Sequence, residues 1–199
     1  DFPFDFTWQK IQEHCKKKTD IVIDPFAGSG TTLITAKLTG HDAYGIDVNP
    51  LMQFISEIKT DWNVNLEEFK KQMFIVNKKI LNGFNKLDSI KMKNKFLDLM
   101  PKREINQWLS HNMQKQVTYT KDIIKEIEDT KIRNIFLFAM AKSAFDGSYV
   151  ALCPGTTFYP YRTKTPFYEL FVKNWLIYSS ASMLSSNLLI SSCFSLSVK

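Results

Sequence analysis

Hydrophobic and polar positions follow one another over residues 20–47 in an order that predicts strand, helix and strand. Three β-branched apolar residues, Ile21–Ile23, predict a short buried strand. Phe26–Gly30 then predict a tight turn, and a helical run begins at Thr31. Gly40 ends that run, and Ala43–Asp47 reads as the next strand. The pattern therefore predicts a βαβ unit with a glycine-rich turn at its centre.

Apolar residues at helical spacing predict a helix on each side of this unit. Thr7 is a candidate N-cap for the first helix, and its apolar face would comprise Trp8, Ile11 and Cys15. Asn49–Pro50 predicts the start of the other helix, because proline is preorganised for the first helical position. The apolar stripe of that helix would be Leu51, Phe54, Ile55 and Ile58.

Beyond residue 62 the alternation of strands and helices stops. Residues 63–116 are rich in lysine, and residues 66–84 predict one amphipathic helix, with a further helical spacing at Arg103–Trp108. We interpret 63–116 as a largely helical insertion. Residues 121–144 predict one long helix with a buried end, and residues 153–162 form a turn-rich aromatic segment. Residues 166–175 predict a last helix.

Composition narrows the class of protein only moderately. The chain has 199 residues, of which 44% are hydrophobic and 23% charged, as in a soluble globular domain. The net charge of +6 suits a polyanionic partner, but a lysine-rich coding bias explains it equally well. The chain has three widely spaced cysteines, Cys15, Cys153 and Cys193, so we expect neither a disulfide framework nor a metal site. This use of cysteine fits a protein of the reducing cytoplasm.

We expect no signal peptide at the start of the sequence and no membrane span near its end. Residues 1–6 are acidic and aromatic, unlike a signal peptide, and the chain lacks an initiator methionine. Residues 179–198 are uncharged and dominated by serine and leucine, a poor composition for a membrane span. We expect residues 179–199 to form a poorly ordered tail. We also expect that the protein does not associate with membranes and that this chain is part of a longer one.

The glycine-rich turn is the candidate ligand site. Gly28 and Gly30 allow a ligand close to the backbone, and the first turn of the following helix presents open N–H groups. Asp47, about 20 residues further on, is placed to accept hydrogen bonds from ribose hydroxyls. A P-loop would need a lysine after Gly30, and a dinucleotide fingerprint would need glycine where Leu33 stands. The pattern favours a nucleoside-containing ligand that is neither a triphosphate nor NAD.

The stretch DPFAGSGTT at residues 24–32, followed by GIDVNP at residues 45–50, resembles the S-adenosylmethionine-dependent DNA methyltransferases that modify exocyclic amino groups of adenine or cytosine. The resemblance implies an α/β, Rossmann-like methyltransferase fold with a mostly parallel sheet flanked by helices. It implies S-adenosyl-L-methionine as cofactor, DNA as partner and a restriction–modification setting. The cofactor-binding residues that it implies are Asp24, Pro25, Phe26, Ala27, Gly28, Ser29, Gly30, Thr31, Thr32, Asp47, Asn49 and Pro50.

The resemblance also implies a division of the chain. Residues 1–62 would be the cofactor-binding core, 63–116 the helical insertion, 117–178 a continuation of the core, and 179–199 the tail. Within this division Asp24 would bond near the methionine part of the cofactor, and Phe26 would pack beside the loop. Lysines of the insertion could contact DNA phosphates, or they could form a solvated helix face.

The catalytic motif of such enzymes, [D/N/S]-P-P-[Y/F/W], is not found in these 199 residues. Phe158–Tyr161 is the nearest match, but it has one proline and no polar first residue. Cys153 precedes a proline rather than following one, so it is not taken as a nucleophile. We therefore assign no catalytic residue and expect the motif beyond Lys199. An RNA methyltransferase and a non-catalytic cofactor-binding remnant remain open as alternatives.

Overall fold

The structure is a computed structural model that describes residues 4–87, 107–152, 156–158 and 165–183. Its described residues fall into two compact units, which meet in the sequence between Val64 and Asn65. Each unit is described by itself below. The predicted segments Arg103–Asn106, 159–162 and 184–199 lie outside the described residues.

The first unit has the predicted order of elements. The parallel strands pair in register, with Ile21 opposite Asp42 and Asp24 opposite Gly45. The unit is thus a helix-rich α/β arrangement with a small parallel sheet. Its elements are α1 (Phe4–His14), β1 (Ile21–Asp24), α2 (Thr31–Thr39), β2 (Asp42–Gly45) and α3 (Pro50–Thr60).

Local signals in the sequence set the end of α2 and the start of α3. Gly40 adopts a left-handed conformation, with φ of 81°, and its N–H bonds to the carbonyls at the end of α2. Asn49 caps α3, because its side chain accepts a hydrogen bond of 3.0 Å from the Leu51 N–H. These two predicted boundaries are confirmed.

The predicted start of α1 is wrong. The helix begins at Phe4, three residues before Thr7, and Thr7 is a buried residue inside it rather than its cap. The rings of Phe4 and Trp8 lie 5.5 Å apart, one helical turn from each other. This (i, i+4) contact and the acidic Asp5 in the first turn favour the earlier start.

One face of the sheet is exposed, which corrects the prediction of a buried strand. We call this the open sheet face and define it by Ile21, Ile23, Tyr44 and Ile46, each at least 54% exposed. The opposite face is partly covered by α2, because a Cβ on Gly45 would lie 2.7 Å from the Leu33 side chain of that helix. The β-branched strand that the pattern predicted to be buried is thus half-buried, with α2 packed on one side of the sheet.

The open sheet face leads to a prediction about stability. Ile23→Val should leave the free energy of unfolding within about 0.5 kcal/mol of wild type, because little area is buried there. The matched change Ile11→Val, at a residue 5% exposed, should cost about 1 kcal/mol. Urea denaturation of both variants measures the difference, and equal losses would show that the face is covered in solution.

The second unit is built mainly from helices. The helices predicted at residues 66–84 and 166–175 are confirmed, and the latter continues to Met183. The tail predicted over residues 179–199 therefore starts inside this helix, and residues 184–199 lie outside the described residues. The antiparallel hairpin β3–β4, with Val150 opposite Phe158, was not predicted. Its described elements are α4 (Leu66–Phe84), α5 (His111–Lys125), α6 (Thr130–Asp146), β3 (Val150–Leu152), β4 (Thr156–Phe158) and α7 (Phe167–Met183).

The single long helix predicted over residues 121–144 is instead two helices. The break follows Lys125, and α6 starts after Asp129, whose carboxylate accepts hydrogen bonds from the Lys131 and Ile132 N–H groups. Aspartate is a strong N-cap, so it favours a new helix start inside a stretch of otherwise good helix formers. The domain boundary proposed between residues 116 and 117 falls within α5.

Aromatic rings in contact with one another form part of the core of the second unit. Phe69 of α4 stacks on Phe136 of α6 at 5.4 Å, and Phe136 lies 6.3 Å from Phe171 of α7. Such contacts add to the burial of large apolar area. Among the described helices none is long and apolar enough to cross a membrane.

Part of the lysine-rich surface of α4 is engaged in ion pairs at the surface. Lys70 pairs with Glu67, Lys71 with Glu68, and Lys79 with Glu126, the C-cap residue of α5. Exposed pairs of this kind contribute little to stability. They fit a solvated helix face, while contact with DNA phosphates stays a prediction.

Candidate functional site

The glycine-rich loop between β1 and α2 is held on the chain that follows β2. The Ala27 N–H donates to the Ile46 carbonyl at 3.0 Å, and the Ile46 N–H donates to the Asp24 carbonyl at 2.9 Å. Asp24 also turns the chain, since its Oδ1 accepts the Phe26 N–H at 3.0 Å. The loop and the end of β2 therefore form one hydrogen-bonded structure.

Both glycines of the loop adopt conformations that other residues avoid. Gly28 has a φ of 51° and Gly30 a φ of 84°. Gly30 also lies against α3, because a Cβ placed on it would be only 2.7 Å from the Ser56 Cβ. Gly30 is the N-cap of α2, and Thr31 and Thr32 form the first turn of that helix. Position 30 thus requires glycine for both its backbone angle and its packing.

Asp47 lies directly against the loop. Its Oδ2 accepts the Gly28 N–H at 2.8 Å, and its Oδ1 accepts the Asn49 N–H at 2.8 Å. The two parts of the sequence pattern, separated by 19 residues, are therefore in contact through one carboxylate. Each carboxylate oxygen can accept more than one hydrogen bond, so Asp47 retains capacity to bind a hydroxyl group.

Three other predicted site residues lie in the turn after β1 or at the start of α3, whereas the prediction for Phe26 is wrong. Pro25 follows β1 in the turn, and Asn49 and Pro50 form the capped start of α3, beside Asp47 in sequence. Phe26 does not pack beside the loop as predicted but is 88% exposed. The hydrogen bond between its N–H and the Asp24 side chain fixes a turn at this position that leaves the ring exposed.

A groove lies beside the loop in the same unit. Its volume is about 350 Å³, and α1 contributes Phe6, Thr7, Lys10 and Ile11 to its lining. The lining includes Asp24 and Thr32, which flank the glycine-rich loop, but not Gly28 or Asp47. The helix before β1 therefore walls a space at the edge of the loop.

Two residues that contact the loop were missed by the sequence analysis. Ser56 is buried against Gly30, and the Lys59 ammonium donates to the Ser29 carbonyl at 3.2 Å. Both lie on α3, three residues apart, which places them on the same side of the helix. The small polar Ser56 beside the apolar stripe of α3 was the available signal.

Residues 2–60 match the family model described as DNA methylase, of the N6/N4 type. This segment resembles the N6/N4 DNA methyltransferases. The match spans α1 to α3 and therefore includes the glycine-rich loop, Asp47 and Asn49. The family resemblance stated from the sequence motifs is confirmed for this part of the chain.

Curated relatives of this methyltransferase-like segment are type II methyltransferases. M.BsoBI of Geobacillus stearothermophilus is 40% identical over 82 residues, or 39% of this chain and 16% of that protein. M.MjaII of Methanocaldococcus jannaschii is 42% identical over 52 residues, which are 26% of this chain and 10% of that protein. M.AvaI of a Nostoc strain is 35% identical over 74 residues, which are 37% of this chain and 15% of that protein.

The chain thus spans about a sixth or less of the length of these curated relatives. No solved structure is significantly similar to the chain. In the described part of the chain no cluster of three or more histidine, cysteine or acidic residues could hold a metal ion.

Proposed function

We propose that this chain carries the S-adenosylmethionine-binding segment of a DNA methyltransferase, which transfers a methyl group to an exocyclic amino group of adenine or cytosine. The observation that carries the proposal is the hydrogen bond between the Gly28 N–H and Asp47. It joins the two motifs of the resemblance within the segment that matches the DNA methylase family. The first unit would belong to a Rossmann-like sheet of which β1 and β2 are neighbouring strands.

The residues of the loop fit an adenosyl ligand in their chemistry. Gly28 and Gly30 present a backbone without side chains, and Asp47 supplies a carboxylate suited to ribose hydroxyls. Asn49 and Pro50 would border the adenine, and Asp24, Thr31 and Thr32 the methionine part. The bound cofactor would supply the activated methyl group, while these residues bind and orient it.

The distribution of charge supports DNA as the partner. Residues 1–64 contain six basic and nine acidic side chains, whereas residues 65–183 contain nineteen basic and eleven acidic ones. The excess positive charge of the protein thus lies in the segment outside the proposed cofactor core. Lysine and arginine side chains supply sequence-independent affinity for phosphates. We further propose that the protein acts in the cytoplasm, within a restriction–modification system.

The proposed function predicts selective binding of an adenosyl ligand. The full chain should bind S-adenosylhomocysteine in isothermal titration calorimetry, and S-adenosylmethionine should compete with it for the same site. ATP and NAD should not compete, because the loop lacks the lysine of a P-loop and the third glycine of a dinucleotide site. No detectable binding of S-adenosylhomocysteine, or equal competition by ATP, would refute the proposal.

A further inference from the structure

We propose that Ser56 and Lys59 of α3 are positioning residues that hold the glycine-rich loop in its ligand-binding shape. Neither residue belongs to the motifs that suggested the site. The inference rests on the proposed function for its ligand, but the contacts themselves are independent of it. It assigns to α3 a role beyond packing against α2.

The loop is held from two sides at three successive residues. Asp47 accepts the Gly28 N–H, and the Lys59 ammonium donates to the Ser29 carbonyl. Gly30 packs against Ser56, with no space for a Cβ between them. All three partners come from the chain between β2 and the end of α3, so one segment fixes the loop.

The lysine contact is chemically suited to fixing a loop. A hydrogen bond to a charged donor is stronger than one between neutral groups. Lys59 is half-buried rather than exposed, which reduces competition from water. Holding the Ser29 carbonyl fixes the peptide group that joins Ser29 to Gly30, and both Gly28 and Gly30 have left-handed φ angles. Glycine positions have the most conformational freedom to lose, so an external contact there matters most.

Ser56 is suited to its place by its size. Its hydroxyl donates to the Gln53 carbonyl of its own helix at 2.9 Å, which satisfies the polar group in a buried position. A larger side chain would push α3 away from Gly30. The close approach brings the Lys59 ammonium within reach of Ser29, one helical turn further along.

A matched control for Lys59 exists in the same unit. The Lys37 ammonium of α2 donates to the Thr60 carbonyl at the end of α3 and lies 4.5 Å from the centre of the Trp62 ring. It therefore joins α2 to α3 through a lysine-to-carbonyl bond, but away from the loop. Lys37→Met should test the cost of losing such a link without disturbing the glycines.

The experiment compares Lys59→Met, Lys59→Arg and Lys37→Met in the full chain. Amide hydrogen exchange of residues 27–30, measured without ligand, should be about fivefold faster in Lys59→Met and unchanged in Lys37→Met. The dissociation constant for S-adenosylhomocysteine should rise about fivefold to tenfold only in Lys59→Met, as for the loss of one hydrogen bond of ordinary strength. Lys59→Arg, which keeps a donor, should restore both values to within about twofold.

The two readouts separate the possible failures. If loop exchange and ligand affinity change equally in the Lys59→Met and Lys37→Met variants, the positioning role is refuted and α3 only packs. If the wild-type chain binds no S-adenosylhomocysteine, the proposed function fails, while the exchange data still decide the role of Lys59. Ser56→Leu should raise both the exchange rate of residues 27–30 and the dissociation constant, because the contact with Gly30 depends on size. If neither value changes in this variant, the role of Ser56 is refuted.

Discussion

Gly30→Ala should destabilise the first unit by about 2–5 kcal/mol and abolish or strongly weaken binding of S-adenosylhomocysteine. Two causes add at this position. The left-handed backbone, with φ of 84°, costs a residue with a Cβ about 1–2 kcal/mol. The new methyl group would also lie 2.7 Å from the Ser56 Cβ and 3.1 Å from its Cα, so α3 must move, at a cost of about 1–3 kcal/mol.

Gly40→Ala is the matched control for this change. Gly40 has nearly the same φ, 81°, but a Cβ there would meet no atom within 4 Å. It should therefore show only the backbone cost, about 1–2 kcal/mol, with ligand affinity unchanged. Urea denaturation followed by tryptophan fluorescence measures both variants, because Trp8 and Trp62 lie in the first unit. Equal losses for the two alanine variants would mean that α3 does not contact Gly30 in solution.

The local elements of the first unit were predictable because short-range chemistry determines them. Gly40 ends α2 through its left-handed backbone, and Asn49 caps α3 through its own side chain. The contact between Gly28 and Asp47 follows from the parallel pairing of β1 and β2, which brings the ends of the two strands together. A strand–turn–helix–strand order in the sequence was enough to predict that proximity.

Features that depend on packing between distant residues were not predictable. The β-branched run Ile21–Ile23 is typical of a strand covered on both faces, yet Ile23 is 67% exposed. Nor does the sequence indicate that Lys59 reaches Ser29, 30 residues away, since lysine on a helix is usually solvated. In the second unit the break before α6 depends on a single aspartate, Asp129, within an otherwise helical stretch.

Asp47→Ala should weaken binding of S-adenosylhomocysteine by about 1–3 kcal/mol, which raises its dissociation constant about fivefold to more than a hundredfold. The carboxylate has two tasks in this proposal. It accepts the Gly28 and Asn49 N–H groups, which joins the loop to the start of α3, and it would accept a ribose hydroxyl. Alanine removes both, so stability should also fall, by about 1–2 kcal/mol.

Asp47→Asn and Asp42→Ala separate these two tasks from a general effect of charge. Asparagine keeps one acceptor oxygen and can hold Gly28 or Asn49 but not both, so its effect should lie between wild type and Asp47→Ala. Asp42 is an exposed carboxylate at the opposite end of β2, and its loss should leave affinity within about twofold. Calorimetric titration measures all three variants. An Asp47→Ala protein with wild-type affinity would place the ribose elsewhere, whereas an equal loss in Asp42→Ala would attribute the effect to net charge rather than to contact with the loop.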